Sequence, residues 1–317
     1  MATLYLNTPT CSGAGWGNTG VPSCYFDPKN VVGCIVVPKT LGFTAAQIAD
    51  FKTTLQAAVS VVGTSSRIFP IFRFVGVVDN SEDVTVQTSG YGEKQITREG
   101  DYDWTFQYFK GGACYNTSLR RFKDGEWSVL FVDSDDQIIG TKHSDGKFYG
   151  VTTSYIYAGK WKLNDGSNVT QYGLSISLPK PEELNDRGKL AFVACDFDVE
   201  VEVKGLLDLE LSEVEVAFGV ATVKIKTLCG QADMYDTFPT EFADEDLWTV
   251  LDSDGAAVVI DSVTADADNK AWDLAFTATG VCTIGLASPD DLETAGIGGY
   301  PDNGYEGLTL EVTMPTS

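Results

Sequence analysis

Apolar and polar side chains alternate with a period of two from residue 196 onward. Phe197, Val199, Val201 and Val203 are separated by Asp196, Asp198, Glu200, Glu202 and Lys204. That spacing predicts a strand with one apolar and one polar face. Lys204-Gly205 offers a turn, and Leu207, Leu209 and Leu211, alternating with Asp208 and Glu210, predict a second strand. At Ser212-Glu213 the phase slips by one residue, as a β-bulge would cause. Val214, Val216 and Phe218 continue the apolar face, with Glu213 and Glu215 outward, and a third strand follows Gly219. The first two strands then set eight carboxylates on one face of a small sheet. Like charges opposed across strands cost about 0.2–1 kcal/mol per pair. Two readings stay open: a solvated outer face, or an acidic wall that something negative must slide past.

The rest of the chain is mostly strand-like. Residues 1–30, rich in Gly, Pro, Ser, Thr and Asn, read as an extended arm, and VVGCIVV (31–37) as a short apolar strand closed by Pro38. Over 44–62 the period changes to that of a helix. Thr44 and Gln47 make a capping-box pair, Ile48, Phe51, Leu55, Ala58, Val59 and Val62 form one apolar face, and Gly63 is the stop. Residues 67–78 are strand-like around Pro70, which suggests an edge or a strand start. Residues 84–99 read as two polar strands around Gly90-Tyr91-Gly92 and bury little, so they are a candidate protruding arm. Strands are expected at 101–109, 113–122 and 126–133, with turns at Gly111-Gly112 and Lys123-Asp124-Gly125, then at 146–157 and 169–178; residues 179–189 read as a loop or short helical turn. Residues 229–244 lose the alternation and read as a linker. The short strands of 245–317 predict a small β-sandwich of immunoglobulin-like type. The buried tryptophan and disulfide of antibody domains are not expected in it, because that stretch holds only Cys282.

The charge sharpens this division. Forty-five acids stand against 22 bases, a net −23 over 317 residues. Residues 1–227 hold 27 acids and 21 bases, whereas residues 228–317 hold 18 acids and the single base Lys270. Such a balance argues against direct phosphate binding, which needs clustered Lys and Arg. The seven cysteines, at 11, 24, 34, 114, 195, 229 and 282, show no zinc spacing and are expected as free thiols, with a disulfide among the neighbouring Cys11, Cys24 and Cys34 left open. No secretory leader and no membrane span are expected from the apolar pattern.

Few residues offer chemistry. His143, the one histidine, sits in a polar turn (KHSDGK), which leaves no His-based triad or metal centre. No cofactor motif is present, and no cofactor is expected. The acid runs at Asp133, Asp135 and Asp136 and at Asp266, Asp268 and Asn269 lack the full calcium loop and read as acidic turns. Paired carboxylates leave a glycosidase open only by count. The chain is expected not to be an enzyme.

Residues 101–106 (DYDWTF), 111–115 (GGACY) and 131–133 (FVD), in an order of arm, helix-flanked strands, polar hairpin and C-terminal sandwich, carry a resemblance. The chain resembles the major tail-tube and related ring-forming virion proteins of tailed bacteriophages. The resemblance implies a mainly β protein: an N-terminal arm (1–30), an antiparallel β-sandwich or barrel-forming tube-type domain (31–228) flanked by one helix, a linker (229–244) and an outer immunoglobulin-like domain (245–317). It implies a homo-oligomer of stacked, hexameric rings in the virion, in contact with other virion proteins, with no membrane, and enclosing a channel through which DNA passes without specific binding. Asp196, Asp198, Glu200, Glu202, Asp208 and Glu210 would line that channel, and residues 84–99 would be the stacking arm. A neck or connector ring, a capsid-decorating or adhesion protein, and a carbohydrate-active enzyme are the alternatives.

Overall fold

The computed structural model describes residues 26–61, 65–88, 90–109, 112–162, 171–186, 188–298 and 304–315, together with the backbone of 3–6. The protein is mainly β and built from antiparallel sheets. The chain divides into two compact units. One comprises Met1–Val59 and Gly63–Val203, the other Lys204–Ser317 with Ser60–Val62.

In chain order the first unit holds β1 (Thr3–Leu6), β2 (Val31–Pro38), β3 (Gly42–Phe43), α1 (Ala45–Ala49), α2 (Phe51–Ser60), β4 (Phe69–Phe72) and β5 (Gly76–Asp79). Then come β6 (Thr85–Thr88), β7 (Lys94–Arg98), β8 (Tyr102–Tyr108), α3 (Gly112–Leu119), β9 (Trp127–Asp133) and β10 (Gln137–Lys142). The unit ends with β11 (Phe148–Tyr149), β12 (Val151–Thr152), β13 (Tyr155–Ala158), β14 (Tyr172–Leu178), α4 (Glu182–Asn185), β15 (Leu190–Ala194) and α5 (Val199–Glu202).

Its larger sheet runs β1-β15-β10-β9-β2-β4, with β11 on β10 and β3, and β12 on β9. Both faces of this sheet are buried. Cys34, Val36, Val129, Phe131 and Ile139 enter a core shared with Trp104, Phe106, Leu174 and Ile176 of the smaller sheet β13-β14-β8-β5. Ile35, Val37, Leu130, Val132 and Ile138 are fully buried too, and alternation puts them on the opposite face. Phe51, Leu55 and Val59 are the buried residues of α2. Phe51 meets Phe43 and Phe148 edge-on, with ring centroids 5.2 and 6.4 Å apart. Burial from both sides explains the unbroken apolar runs of β2 and β9.

The capping box at Thr44 and Gln47 is formed. The single helix expected over 44–62 is two, because Asp50 leaves helical geometry at φ −123°, ψ 61°; the stop expected at Gly63 lies outside the described residues. Pro70 lies on β4, the outermost strand of the larger sheet, where a missing N–H costs no ladder bond. The strand expected over 113–122 is instead α3, continued by a tight turn over Arg120–Asp124. Asn116, Leu119 and Phe122 are buried at a spacing of three, which a strand could not turn to one side. Part of the expected arm 1–30 is a strand, since Thr3 of β1 lies opposite Ala194 of β15. Phe26 packs on Trp104 and Phe131, and residues 7–25 lie outside the description.

The second unit holds β16 (Leu207–Ala217), β17 (Val220–Thr227), β18 (Trp248–Leu251), β19 (Ala257–Val258), β20 (Ile260–Asp266), β21 (Ala271–Phe276), β22 (Gly280–Leu286), α6 (Pro289–Thr294), β23 (Tyr305–Gly307) and β24 (Leu310–Met314). Sheets β20-β21-β17-β16-β23 and β19-β18-β22-β24 enclose one core. A sandwich is expected here, but not these members: β16 and β17 belong to it, so the division falls at 203/204. Residues 229–244 are not a linker. They bury Met234 and Phe242, and Phe242 lies edge-on to Trp248 and Trp272. A buried tryptophan is present after all. Trp272 is fully buried and its Nε1–H donates to the Pro239 carbonyl at 3.2 Å. The expectation of free thiols holds for Cys34, Cys195 and Cys282, whereas Cys114 and Cys229 are disulfide-bonded.

A fragment of residues 204–317 is therefore expected to melt in one cooperative transition by circular dichroism, and a fragment of 245–317, lacking β16 and β17, to show none. Trp272→Ala in the full chain is expected to cost about 3–5 kcal/mol in denaturant titration.

Candidate functional site

The six acids expected on one wall are not on one sheet. Asp196, Asp198, Glu200 and Glu202 fall in the first unit, Asp208 and Glu210 in the second. Residues 196–204 form no strand; α5 occupies their middle. Val199 and Val203 are buried while Val201 is 39% exposed, so the inward positions recur at four, not at two. Asp198 caps the turn by accepting the Val201 N–H at 2.9 Å, and Asp136 accepts that of Val199 at 2.9 Å. Gln56 donates from Nε2 to the Glu202 carbonyl at 2.9 Å. These bonds give the backbone a better partner set than an isolated acidic strand would.

The carboxylates of this turn face cations of their own unit. Glu202 pairs with Lys52 at 2.8 Å and is largely shielded, whereas Glu200 meets Arg73 at 3.5 Å in the open. Asp196 and Asp198 are exposed. In the second unit Glu210 stands opposite Lys226 and Ser212 opposite Lys224. Gln231 donates to Glu210 at 3.2 Å, and Lys224 pairs with Asp233 at 2.9 Å. The bulge is real, with the register shifting between Glu213 and Glu215. The face is thus a mixed one: Glu210 has a lysine opposite it, whereas Asp208 lies beside Glu306.

The other expected feature is formed as a two-stranded sheet of β6 and β7, apart from every other sheet. Val86 pairs with Ile96, Gln87 with Gln95 and Thr88 with Lys94. Every residue of both strands is exposed. Val84 and Val86 are each 48% exposed, Ile96 67% and the tip residue Tyr91 99%. A lone hairpin is marginal in water, and this one is held at its base. Asn80 N–H donates to the Asp103 carbonyl and Glu82 N–H to that of Asp101. Arg98 reaches Glu82 and Asp101 at 3.6 and 3.2 Å. Gly100 is required there, since a Cβ would stand 1.8 Å from the Glu82 carbonyl oxygen.

The residues that chemistry would use are engaged structurally. His143 stacks on Tyr149 with ring centroids 4.4 Å apart, and the Tyr149 hydroxyl donates to Asp145 at 2.7 Å. That bond, with the Lys147 N–H, holds the Asp145 carboxyl below its ordinary range. A cleft beside His143 carries Lys142, Lys180 and Lys189, of which Lys180 pairs with Glu183 and Lys189 with Glu182. Asp133 accepts the N–H groups of Asp135 and Gln137, and burial raises its pKa. Asp266 accepts those of Asp268 and Asn269. Among the described residues no group of three or more His, Cys, Asp or Glu side chains is placed to hold a metal ion.

With the hairpin and the acids placed, fold defines the class only as a mainly β protein of sheets packed face to face. No protein-family model and no curated protein sequence matches the chain.

The two pairs of the α5 turn predict opposite outcomes for one substitution. Glu202→Lys, which sets a second ammonium beside Lys52, is expected to lower stability by about 1–2 kcal/mol in urea. Glu200→Lys is expected to change it by less than about 0.5 kcal/mol, because its pair is exposed.

Proposed function

We propose that this chain is a non-enzymatic structural protein that assembles with copies of itself into rings or a tube, in the manner of the virion tail proteins it resembles. The observation that carries the reading is the hairpin of β6 and β7. It stands apart from both sheets of its unit with apolar Val84, Val86, Ile96 and Tyr91 in water. Exposed apolar groups on a projecting element are what an intersubunit arm requires. A sheet assembled between copies also removes exposed strand edges.

Residues 196–210 form no continuous acidic wall: their acids are divided between two units, and Glu202, Glu200 and Glu210 face Lys52, Arg73 and Lys226. The overall charge of −23 does not replace it, since residues 228–317, within the second unit, hold 18 acids and one base; passage of DNA rests on the resemblance.

Negative-stain microscopy of the purified protein is expected to show rings or tubes. Replacing residues 84–99 by a short glycine turn is expected to leave the melting temperature of the monomer within about 3 °C and to abolish assembly. A wild-type protein that sediments as a monomer at every concentration and salt would remove the proposal.

A further inference from the structure

The smaller sheet of the first unit has a second face, on which Thr105, Gln107 and Ser175 are half-buried and Ser177 is buried, while the side chains at its borders are exposed. Rows run across its strands as Tyr157–Ser175–Thr105–Val78 and as Gly173–Gln107–Gly76. The second row carries one side chain, Gln107, between two glycines, so the surface is low there and its neighbours lean over it: Gln107 Oε1 would stand 3.5 Å from a Cβ on Gly76. On the other side, Thr105 Cγ2 would stand 2.8 Å from a Cβ on Gly173, so only glycine fits there. Apolar groups border the row: Tyr155 is 39% exposed, Tyr157 42%, Val78 40% and Phe109 45%. Phe109 follows Tyr108, whose ring is in the core, so alternation turns it to the open side. A row farther on, Ser177 and Asp103 lie beside Tyr155. Asp103 accepts the Tyr155 hydroxyl at 2.5 Å. It is the one charged group among these row positions.

The hairpin offers the complement. Val86 and Ile96 are paired on one side of it, with Val84 two residues before Val86 and Lys94 two before Ile96. Alternation therefore gives that side three aliphatic groups and one ammonium. Among the described residues Lys94 makes no ion pair. The hairpin joins β5 to β8, which are neighbours in this same sheet. It thus leaves from the end of the sheet whose face is open, and both surfaces stay exposed within one chain.

We propose that the hairpin of one copy packs on the open face of this sheet in a second copy. The Val84, Val86 and Ile96 side lies over the low Gly173–Gln107–Gly76 row, with Lys94 turned toward Asp103. The inference rests on the self-assembly reading and names its contact. Two different patches meet, and repeated head-to-tail the contact closes into a ring or runs on as a filament, whereas exchanged reciprocally it would stop at a two-fold dimer; wild type found only as a dimer overturns the head-to-tail arrangement.

The test uses two full-length variants, Ile96→Asp in the hairpin and Tyr157→Asp on the sheet face, each checked for an unchanged melting curve. By sedimentation velocity each alone is expected to need at least about tenfold more protein than wild type to assemble. An equimolar mixture is expected to give heterodimers and nothing larger. Each mixed pair retains one intact hairpin and one intact face, and therefore one junction. Should Tyr157→Asp unfold, Val78→Asp takes its place on the same row. Wild type that assembles while the mixture stays monomeric overturns this contact and leaves self-assembly standing. So does either variant assembling as wild type does. Wild type that never assembles removes the self-assembly reading and the contact with it.

Discussion

The larger sheet of the first unit is buried on both faces, and most of the unit follows from that. One face needs a second sheet and the other needs a helix, so the unit becomes three layers. The helix layer then needs cations and caps along its margin, which is where Lys52, Gln56 and the α5 turn meet. Only the smaller sheet has a face to spare. The hairpin, attached to that sheet and to no other, has nowhere in its own unit to bury its aliphatic side. Among the described residues of the first unit, exposed large apolar side chains thus gather mainly on one sheet and on the arm that grows from it, while the second unit has its own in Phe218, Val259 and Val281.

Much of this was legible in the sequence, for local reasons. The capping box at Thr44 and Gln47, the bulge after Ser212, the edge position of Pro70 and the exposure of residues 84–99 each follow from a few neighbouring residues. The errors come where a local pattern has two solutions. Val199, Val201 and Val203 alternate like a strand, but a four-residue turn also brings Val199 and Val203 to one side. Asp198 was the readable sign of that turn, a capping residue placed three before the N–H it accepts. Residues 113–122 had the same ambiguity, resolved by the spacing of Asn116, Leu119 and Phe122.

The allegiance of β16 and β17 was not legible at all. Their alternation says that one face is buried and is silent on what buries it. Proximity in sequence favoured the preceding strands, yet their side chains complete the core around Trp272 and Phe242. The same silence misplaced the acidic site. Charge pattern gives the face, and only the tertiary partners, here Lys52, Arg73, Lys224 and Lys226, decide whether that face is a bare wall or a neutralised one. Arg73 could not have been anticipated, since it holds a left-handed backbone at φ 72°. The open face around Tyr155 and Tyr157 was within reach, because Ile156 and Ala158 alternate with them.

The pairing of β1 with β15 has a consequence for the order of events as the chain is made. Thr3–Leu6 find their partners only at Ala191–Ala194. Until the ribosome has passed that point, the first strand emerges with no neighbour to hydrogen-bond, and the sheet cannot close at that edge. Contacts of such long sequence separation form late. Between the synthesis of Thr3–Leu6 and that of Ala191–Ala194 this β-segment is therefore without its partner, available to chaperones and to other nascent copies alike.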